Sequence, residues 1–209
     1  MAAFFSDVLD KFLTTGFLKK VCERFHYEER YREELAAVAE KMLPFLQKEA
    51  FWERKESFLQ QKAKTGNSDT LCEDVVMSLG EGLDRLQEYY ERQGLLSESY
   101  MAEALAGELL MQGYDAYSRY MERNTGYHAA AYHFPGSEKE FPLELLPEML
   151  KGLTSEVSCN AAFCMTPKKS TVFVAELTRD KKTGCKKICD TCGKTDCMNR
   201  MKTNASAAE

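Results

Sequence analysis

The sequence predicts an α+β fold, with a mainly antiparallel, twisted sheet and packed helices. We expect an N-terminal helical segment before the sheet and a four-cysteine metal-binding tail after it. Apolar residues recur at three- and four-residue steps up to about residue 62, and beyond that point short β-rich runs alternate with helical periods. With 44% hydrophobic and 29% charged residues over 209 positions, the chain can bury a substantial core. This length suits one domain, or one domain with an appended helical segment.

Residues 1–62 are predicted to be helical. The run Thr14–Gly16 interrupts the apolar period and marks a break between two helices. A longer charged helix follows, and Pro44 is expected to kink it or to end its first part. The polar run Lys62–Ser68 predicts a turn, and therefore a boundary between this helical segment and the rest of the chain.

A change of pattern marks the start of the next part. The run Asp74–Leu79 is rich in β-branched residues and predicts a buried strand. A helix should follow and end at Gly94, a residue type common just after a helix. Ser97 and Ser99 are candidate caps for a second helix that continues to about Arg123. Because the apolar residues of that helix cover more than one face, we expect it to be well buried.

Three strands and one helix are predicted in the remainder. The run Gly126–Phe134 is strand-like, the pair Pro135–Gly136 predicts a turn, and a third helix should cover about Pro142–Lys151. Two more β-rich segments follow, Val157–Met165 and Ser170–Leu177. The order strand–helix–helix–strand–helix–strand–strand favours an α+β domain with a mainly antiparallel sheet.

Two histidines lie in the strand-like run before the turn. His128 and His133 belong to the residue type that titrates near neutral pH, so both are candidates for function. A lone histidine in a strand more often has a structural role. The sequence therefore assigns neither to a site.

The most specific motif is a group of four cysteines in the run CKKICDTCGKTDC, namely Cys185, Cys189, Cys192 and Cys197. The spacing C-x3-C-x2-C-x4-C suits one compact polynuclear centre, and an iron–sulfur cluster of the 4Fe-4S type is the natural occupant. Zinc is the main alternative, since four-thiolate zinc sites are also common. Structural zinc usually takes two C-x2-C pairs, and here only Cys189 and Cys192 form one. Unmetallated thiols or disulfides are a third interpretation.

Residues around these cysteines narrow the choice of metal centre. Seven basic side chains lie between Lys181 and Lys202, against two aspartates, and such an excess lowers the cost of ionised thiolates. The simpler interpretation is a solvated basic tail, or one that docks an acidic partner, and it does not exclude a metal centre. Met198 stands where two-cluster ferredoxins have proline after the last cysteine. The C-x3-C-x2-C half also matches radical S-adenosylmethionine enzymes, but only seventeen residues follow Cys192, too few for their barrel.

Composition excludes several broad classes. The net charge of −5 argues against a general nucleic-acid binder, and no run approaches the ~20 apolar residues of a membrane span. With no secretory signal, the eight cysteines predict a cytoplasmic protein whose thiols stay reduced, rather than a disulfide-rich secreted one. We interpret Cys159 and Cys164 as small core or pocket residues in a strand.

The stretch from about Asp74 to Thr178 resembles the activation domain of cobalamin-dependent methionine synthase. The matching pieces are VVMSLGEGLDRL, the long helix up to YDAYSRYMER, FPGSEKEFPLELLPEML and FCMTPKKSTVFVAEL. The last piece carries the family's Met-x-Pro-x-x-Ser pattern at Met165, Pro167 and Ser170. Standalone relatives of this domain with a cysteine-rich C-terminus are also similar to the chain, and they suit the four-cysteine tail better than the fused enzyme does.

The resemblance identifies one domain and implies a ligand surface. With the patterns described above, it divides the chain into a helical segment (1–62), an activation-like α+β domain (69–178), the metal-binding tail (181–202) and a disordered end (203–209). In the family, the domain binds S-adenosylmethionine and assists the reductive remethylation of cob(II)alamin. The implied cofactor-binding residues here are Tyr132, Pro135, Gly136, Ser137, Met165, Pro167 and Ser170.

Two of these positions depart from the family's adenosylmethionine motif. Tyr132 stands where the family has arginine, and Ser137 stands where it has tyrosine, whereas Pro135 and Gly136 are retained. An arginine can pair with the ligand carboxylate through two parallel hydrogen bonds, which a tyrosine cannot replace. We therefore expect S-adenosylmethionine to bind roughly ten- to a hundredfold more weakly than in the family.

Together these features predict an accessory protein rather than a stand-alone catalyst, because no general acid, base or nucleophile is evident. We expect it to dock a corrinoid protein or cobalamin-dependent methyltransferase and to deliver an electron through the four-cysteine centre. Lys168 and Lys169 are candidates to contact acidic groups of that partner. The alternative is a non-catalytic interaction module whose tail binds zinc for folding and whose aromatic N-terminal helices recruit a partner.

Overall fold

The computed structural model describes residues 3–57 and 70–180, with side chains from Ser6 onward. Within them lies a four-stranded antiparallel sheet of order β1-β2-β6-β3. The strands are β1 (Phe51–Glu56), β2 (Leu71–Ser78), β3 (His128–His133) and β6 (Ser170–Thr178). Two further short strands, β4 (Ser158–Cys159) and β5 (Met165–Thr166), pair with each other as a hairpin. This hairpin comes between β3 and β6 in the sequence. The predicted α+β class with an antiparallel sheet and packed helices is confirmed.

Six α-helices accompany the strands in the described ranges. They are α1 (Ala3–Leu9), α2 (Thr15–Phe25), α3 (Arg32–Glu49), α4 (Glu81–Arg92), α5 (Leu96–Thr125) and α6 (Leu146–Leu153). Short 3-10 turns precede α3 and α6, at Glu29–Tyr31 and Leu143–Leu145. The predicted break before α2 is confirmed, and Thr14 caps that helix by accepting a hydrogen bond from the Phe17 N–H at 3.3 Å. Helix α3 runs through Pro44 to Glu49, so the proline does not end it.

The two faces of the sheet carry cores of very different size. We call the side covered by α1–α5 the helix face, and the side covered by α6 and the β4–β5 hairpin the hairpin face. On the helix face, Val75, Met77, Phe173 and Tyr132 pack against buried residues of all five helices. On the hairpin face, strand residues such as Val76 pack against α6 and Phe141 in a smaller cluster. The alternation of the strands therefore divides one sheet between two cores.

Three expectations about local structure were wrong. Residues 51–56 form β1 and not helix, because they pair with β2 along their whole length and Trp52 is buried against the helix face. Ser97 and Ser99 lie inside α5 rather than capping it. The N-cap residue is Leu95, and no side chain makes a capping hydrogen bond at this end of the helix. The β-rich run 157–165 contains only two short strands, separated by a turn.

The N-terminal helices share their core with the strands of the sheet. Val8, Phe17 and Leu35 belong to the same buried cluster as Val75 and Phe173. Strand β1, which follows α3 directly, pairs with β2 along its whole length. The predicted boundary at residues 62–69 lies outside the described residues, as do the metal-binding tail and the end of the chain at 203–209.

Candidate functional site

The four cysteines predicted to bind metal lie outside the described residues. These four cysteines are Cys185, Cys189, Cys192 and Cys197. Among residues 3–57 and 70–180, no group of three or more histidine, cysteine, aspartate or glutamate side chains could hold a metal ion. No helix in those ranges is long and apolar enough to cross a bilayer.

Of the two cysteines predicted to be core or pocket residues in a strand, Cys159 lies in β4 and packs against the hairpin-face core, whereas Cys164 does not fit that interpretation. Cys159 is half-buried at the end of β4, and Cys164 is exposed in the turn that follows it. Asn160 organises this turn, because its Oδ1 accepts hydrogen bonds from the backbone N–H groups of Ala162 and Cys164. A side chain that competes for the backbone in this way favours a turn over a strand, which removes Cys164 from the core.

Two loops predicted to bind a cofactor lie at the same end of the sheet. The first is the turn at residues 134–137, which follows β3. The second is the pre-β6 loop (residues 165–170). Ser78 at the end of β2 pairs with Ser170 at the start of β6, and β3 ends beside Val174 of the same strand. The antiparallel register therefore brings the two loops to one end of the strands, and we call this end the loop edge of the sheet.

The turn after β3 has the geometry that its sequence predicts. The Ser137 N–H donates to the Phe134 carbonyl at 3.0 Å, and the Ser137 hydroxyl donates to the same oxygen at 2.8 Å. Gly136, at the third position, has a φ of +84°, which favours glycine, and Pro135 supplies the second position. The Gly136 N–H donates to the Phe141 carbonyl at 2.7 Å. The retained Pro-Gly pair is thus accounted for by the turn itself.

Tyr132 lies in the core and not at the surface of this edge. Its side chain is 3% exposed, and its ring packs edge-on against Tyr114 and Phe173 at centroid distances of 6.0 and 5.5 Å. Position 132 thus holds an aromatic residue that faces the helix core. A ligand bound at this edge would contact the turn and the pre-β6 loop, and not the Tyr132 ring.

The pre-β6 loop is held by backbone hydrogen bonds to α4 and β2. The Lys168 N–H donates to Asp84 Oδ2 at 2.8 Å, and the Leu79 N–H donates to the Lys169 carbonyl at 2.9 Å. The Ser170 hydroxyl donates to Ser78 Oγ at 2.9 Å, so Ser170 is buried and serves the junction of two strands. Pro167 is buried after a cis peptide bond, and Met165 packs against the hairpin-face core.

The charge of Lys169 is paired with a carboxylate of the same chain. Its ammonium group pairs with Glu103 of α5, and the side chain is largely covered. Burial opposes the ionisation of Glu103, but the hydrogen bonds from Lys169 and Gln87 outweigh it and lower the pKa of that carboxyl. Lys168, whose side chain is exposed, is the member of the predicted pair that remains available to solvent.

Asp84 is a residue of this edge that sequence reasoning missed. It is buried in the first turns of α4, and burial raises the pKa of its carboxyl although the Lys168 N–H and nearby lysines oppose the shift. Its Oδ1 has no hydrogen-bond partner within the described part of the chain. The bond to Lys168 joins residues 84 positions apart, so no local pattern could reveal it.

A cleft of about 530 Å³ opens beside this loop, between the end of α3, the start of β1 and the β2–α4 turn. Glu49 forms one wall, and it accepts hydrogen bonds from the Gly82 N–H at 2.6 Å and from Arg85 at 2.7 Å. Gly80 adopts a φ of +84°, and a Cβ there would lie 2.4 Å from the Glu49 Cβ. The two glycines of LGEGL are the signal that could have located this close approach.

The scan against protein-family models found no match for this chain. The search of curated proteins likewise found no match.

Proposed function

We propose that this protein assists the reductive reactivation of a corrinoid-dependent methyltransferase. The step that this protein would support is the one-electron reduction of cob(II)alamin to cob(I)alamin, and a low-potential donor protein must supply the electron. The observation that carries the proposal is the C-x3-C-x2-C-x4-C group, which follows a region resembling the methionine synthase activation domain.

The donor set fits an iron–sulfur cluster. Cys185, Cys189, Cys192 and Cys197 supply four soft thiolates within thirteen residues, and the surrounding lysines offset their negative charge. Such a cluster, when bound, would supply one-electron transfer at low potential. The residues proposed to meet the corrinoid are those of the turn and of the pre-β6 loop, namely Pro135, Gly136, Ser137, Met165 and Pro167. Tyr132 and Ser170 support these loops from the core and from the strand junction.

The length of β6 sets a condition on this proposal. Thr178 ends the strand that Ser170 begins, and eight residue steps at ~3.3 Å each put these α-carbons roughly 26 Å apart. Seven steps separate Thr178 from Cys185, and a fully extended chain of that length reaches at most about 25 Å. Cys185 would therefore fall just short of the level of Ser170 even if that link ran back fully extended. A partner that contacts both the cluster and the pre-β6 loop must then extend from one end of the sheet toward the other.

The first experiment is metal and acid-labile sulfide analysis of protein purified without air, together with its absorption spectrum. A brown protein with broad absorbance near ~400 nm and about four iron and four sulfide per chain is expected. Cys192→Ser should lower the iron content and abolish the reduction of cob(II)alamin by the pre-reduced protein. Cys164→Ser is the matched control, because Cys164 is exposed and lies outside the group of four. It should leave both quantities unchanged.

Two results would count against the proposal. A colourless protein with about one zinc per chain would favour the interaction module. A protein that contains iron and sulfide but leaves cob(II)alamin unreduced, alone and with candidate methyltransferases, would retain the cluster and remove the corrinoid from its function.

A further inference from the structure

His133 is the last residue of β3, and both of its ring nitrogens face carboxylates. Nδ1 lies 3.1 Å from Glu138 Oε2, and Nε2 lies 3.3 Å from Glu176 Oε2. Glu176 belongs to the central strand β6, whereas Glu138 belongs to the β3–α6 loop (residues 134–142). The imidazole therefore connects the sheet to the loop that contains the turn at Pro135–Gly136.

This geometry requires the charged form of the ring. A neutral imidazole has one N–H, so only one of the two carboxylates could accept a hydrogen bond and the other would face a lone pair. The imidazolium donates to both. Its ring also stacks on Phe141, with centroids 4.6 Å apart and planes 11° from parallel, a contact that favours a cation over an aromatic face.

The charges around the ring agree with this requirement. Burial alone would lower the pKa of His133, but the hydrogen bonds and charges of Glu176 and Glu138 outweigh it and raise the pKa above its ordinary value. Glu138 approaches from the loop and Glu176 from β6, while the residue across from Glu176 on β2 is the buried thiol of Cys72. A raised histidine pKa means that the stabilisation is complete below the unfolded value of about 6.5 and is lost as the pH rises through the folded value.

The two carboxylates differ in how firmly they are held. The Glu176 side chain is 11% exposed in the middle of the sheet, and the Glu138 side chain is 23% exposed in a loop. When the ring loses its proton, Glu138 is the partner that can turn away into water. The loop would then keep its internal hydrogen bonds, including the one from the Gly136 N–H to the Phe141 carbonyl, but would lose its connection to Glu176 through the ring.

We propose that His133 is a pH-dependent clamp on the β3–α6 loop. The protonated ring joins Glu138 to Glu176 and fixes the turn at Pro135–Gly136, and loss of the proton releases Glu138 and loosens that turn. The clamp lies at the edge proposed to meet the corrinoid, yet it is defined by contacts within this chain alone.

Histidine-labelled full-length protein offers a direct test, because the chain has only three histidines. We expect the ring resonance of His133 to titrate above the ordinary histidine value of about 6.5. Glu138→Gln should move that titration to lower pH, because one of the two charges that hold the proton is removed. Glu140→Gln is the matched control, since Glu140 is an exposed carboxylate of the same loop, and should leave the titration in place.

Hydrogen exchange at the Gly136 amide reports the loop itself. After correction for intrinsic exchange, protection at Gly136 should fall roughly ten- to a hundredfold across the His133 titration, the factor that one hydrogen bond to a charged group commonly supplies. In Glu138→Gln the protection should be low on both sides, while the Gly126 amide at the end of α5 should show no such step. A His133 pKa at or below about 6.5, or Gly136 protection that does not change across the titration, would overturn the clamp. Neither measurement involves cobalamin, so either result is independent of the proposed function.

Discussion

Glu73 and Asp74 are neighbours in β2, yet their carboxylates lie on opposite faces of the sheet. Glu73, on the helix face, accepts hydrogen bonds from Tyr117 at 3.0 Å and from Arg54. Asp74, on the hairpin face, accepts one from Ser57, and its Oδ2 is buried with no partner in the described residues. Burial accordingly raises the pKa of Asp74, although Ser57 and Lys55 oppose the shift.

The same contrast extends to the packing of the two faces. Phe173 on the helix face packs against several aromatic side chains, and its ring centroid lies 5.2 Å from that of Tyr114 and 5.7 Å from that of Tyr117. Phe141 on the hairpin face belongs to a loop and stacks on a titratable side chain. We infer that the helix face supplies most of the stability, and that the hairpin face carries two groups with raised pKa values, His133 and Asp74.

The largest effect should come from truncating an aromatic core residue on each face. Phe173→Ala should lower the free energy of unfolding by about 3–5 kcal/mol, because its many neighbours cannot close the cavity. Phe141→Ala should cost less, about 2–3 kcal/mol, since a loop can collapse into the space. Urea unfolding of both variants measures the difference. Equal losses would contradict the division of stability between the faces.

A smaller effect distinguishes the two adjacent carboxylates. Glu73→Gln should lower the free energy of unfolding by about 1–3 kcal/mol, because Arg54 and Tyr117 lose a charged acceptor. Asp74→Asn should cause no loss at pH 7. Since the raised pKa of Asp74 means that the folded state holds the proton more tightly, wild-type stability falls as the pH rises through the interval above 3.8.

The neutral asparagine in Asp74→Asn has no charge to bury, so the variant avoids the loss of stability that ionisation of Asp74 causes in the wild type. The variant should therefore gain relative to wild type between acidic and neutral pH, and the gain should disappear at about pH 3, where both states of the wild type are protonated. Unfolding curves at several pH values measure the trend. A loss for Asp74→Asn that matches the loss for Glu73→Gln would show that the two faces do not differ in this respect.

The smallest effect concerns the pair that ties the pre-β6 loop to the helix layer. Lys169→Met should lower the free energy of unfolding by about 0.5 kcal/mol at pH 7, because more than half of the Glu103 side chain is exposed. The pKa of Glu103 is lowered, so this contribution is present above about pH 4.5 and is lost as the pH falls through the folded value. Lys168→Met is the control, and thermal unfolding at pH 7 and pH 3 is the measurement. A loss that persists at pH 3 would indicate packing by the lysine stem rather than charge.

Local pattern was sufficient for much of the fold. The β-rich runs Asp74–Leu79 and Ser170–Leu177 predicted the two central strands, and the Pro135–Gly136 pair predicted the turn that is observed. Strand β1 was missed because FWERKE combines two aromatics with residues that also favour helices, and its pairing with β2 decides the outcome. Such pairing is invisible in a local window.

The candidate site depends more on contacts between distant residues. His133 was singled out by type, but its partners are 5 and 43 positions away and only folding brings them to the same ring. Asp84 and Glu49 act on loops far along the chain, and nothing in their immediate neighbours identifies them. The four cysteines show the opposite case, since their spacing is itself the motif and remains a prediction from sequence.

The core shared by the N-terminal helices and the sheet has a practical consequence. A fragment cut at residue 69 would lose the edge strand β1 and three of the helices that cover Phe173 and Met77. Aromatic surface normally buried would then face water, and such a fragment should aggregate. Domain swaps with other proteins must therefore carry residues 3–57 together with residues 70–180, because the two ranges fold as one unit.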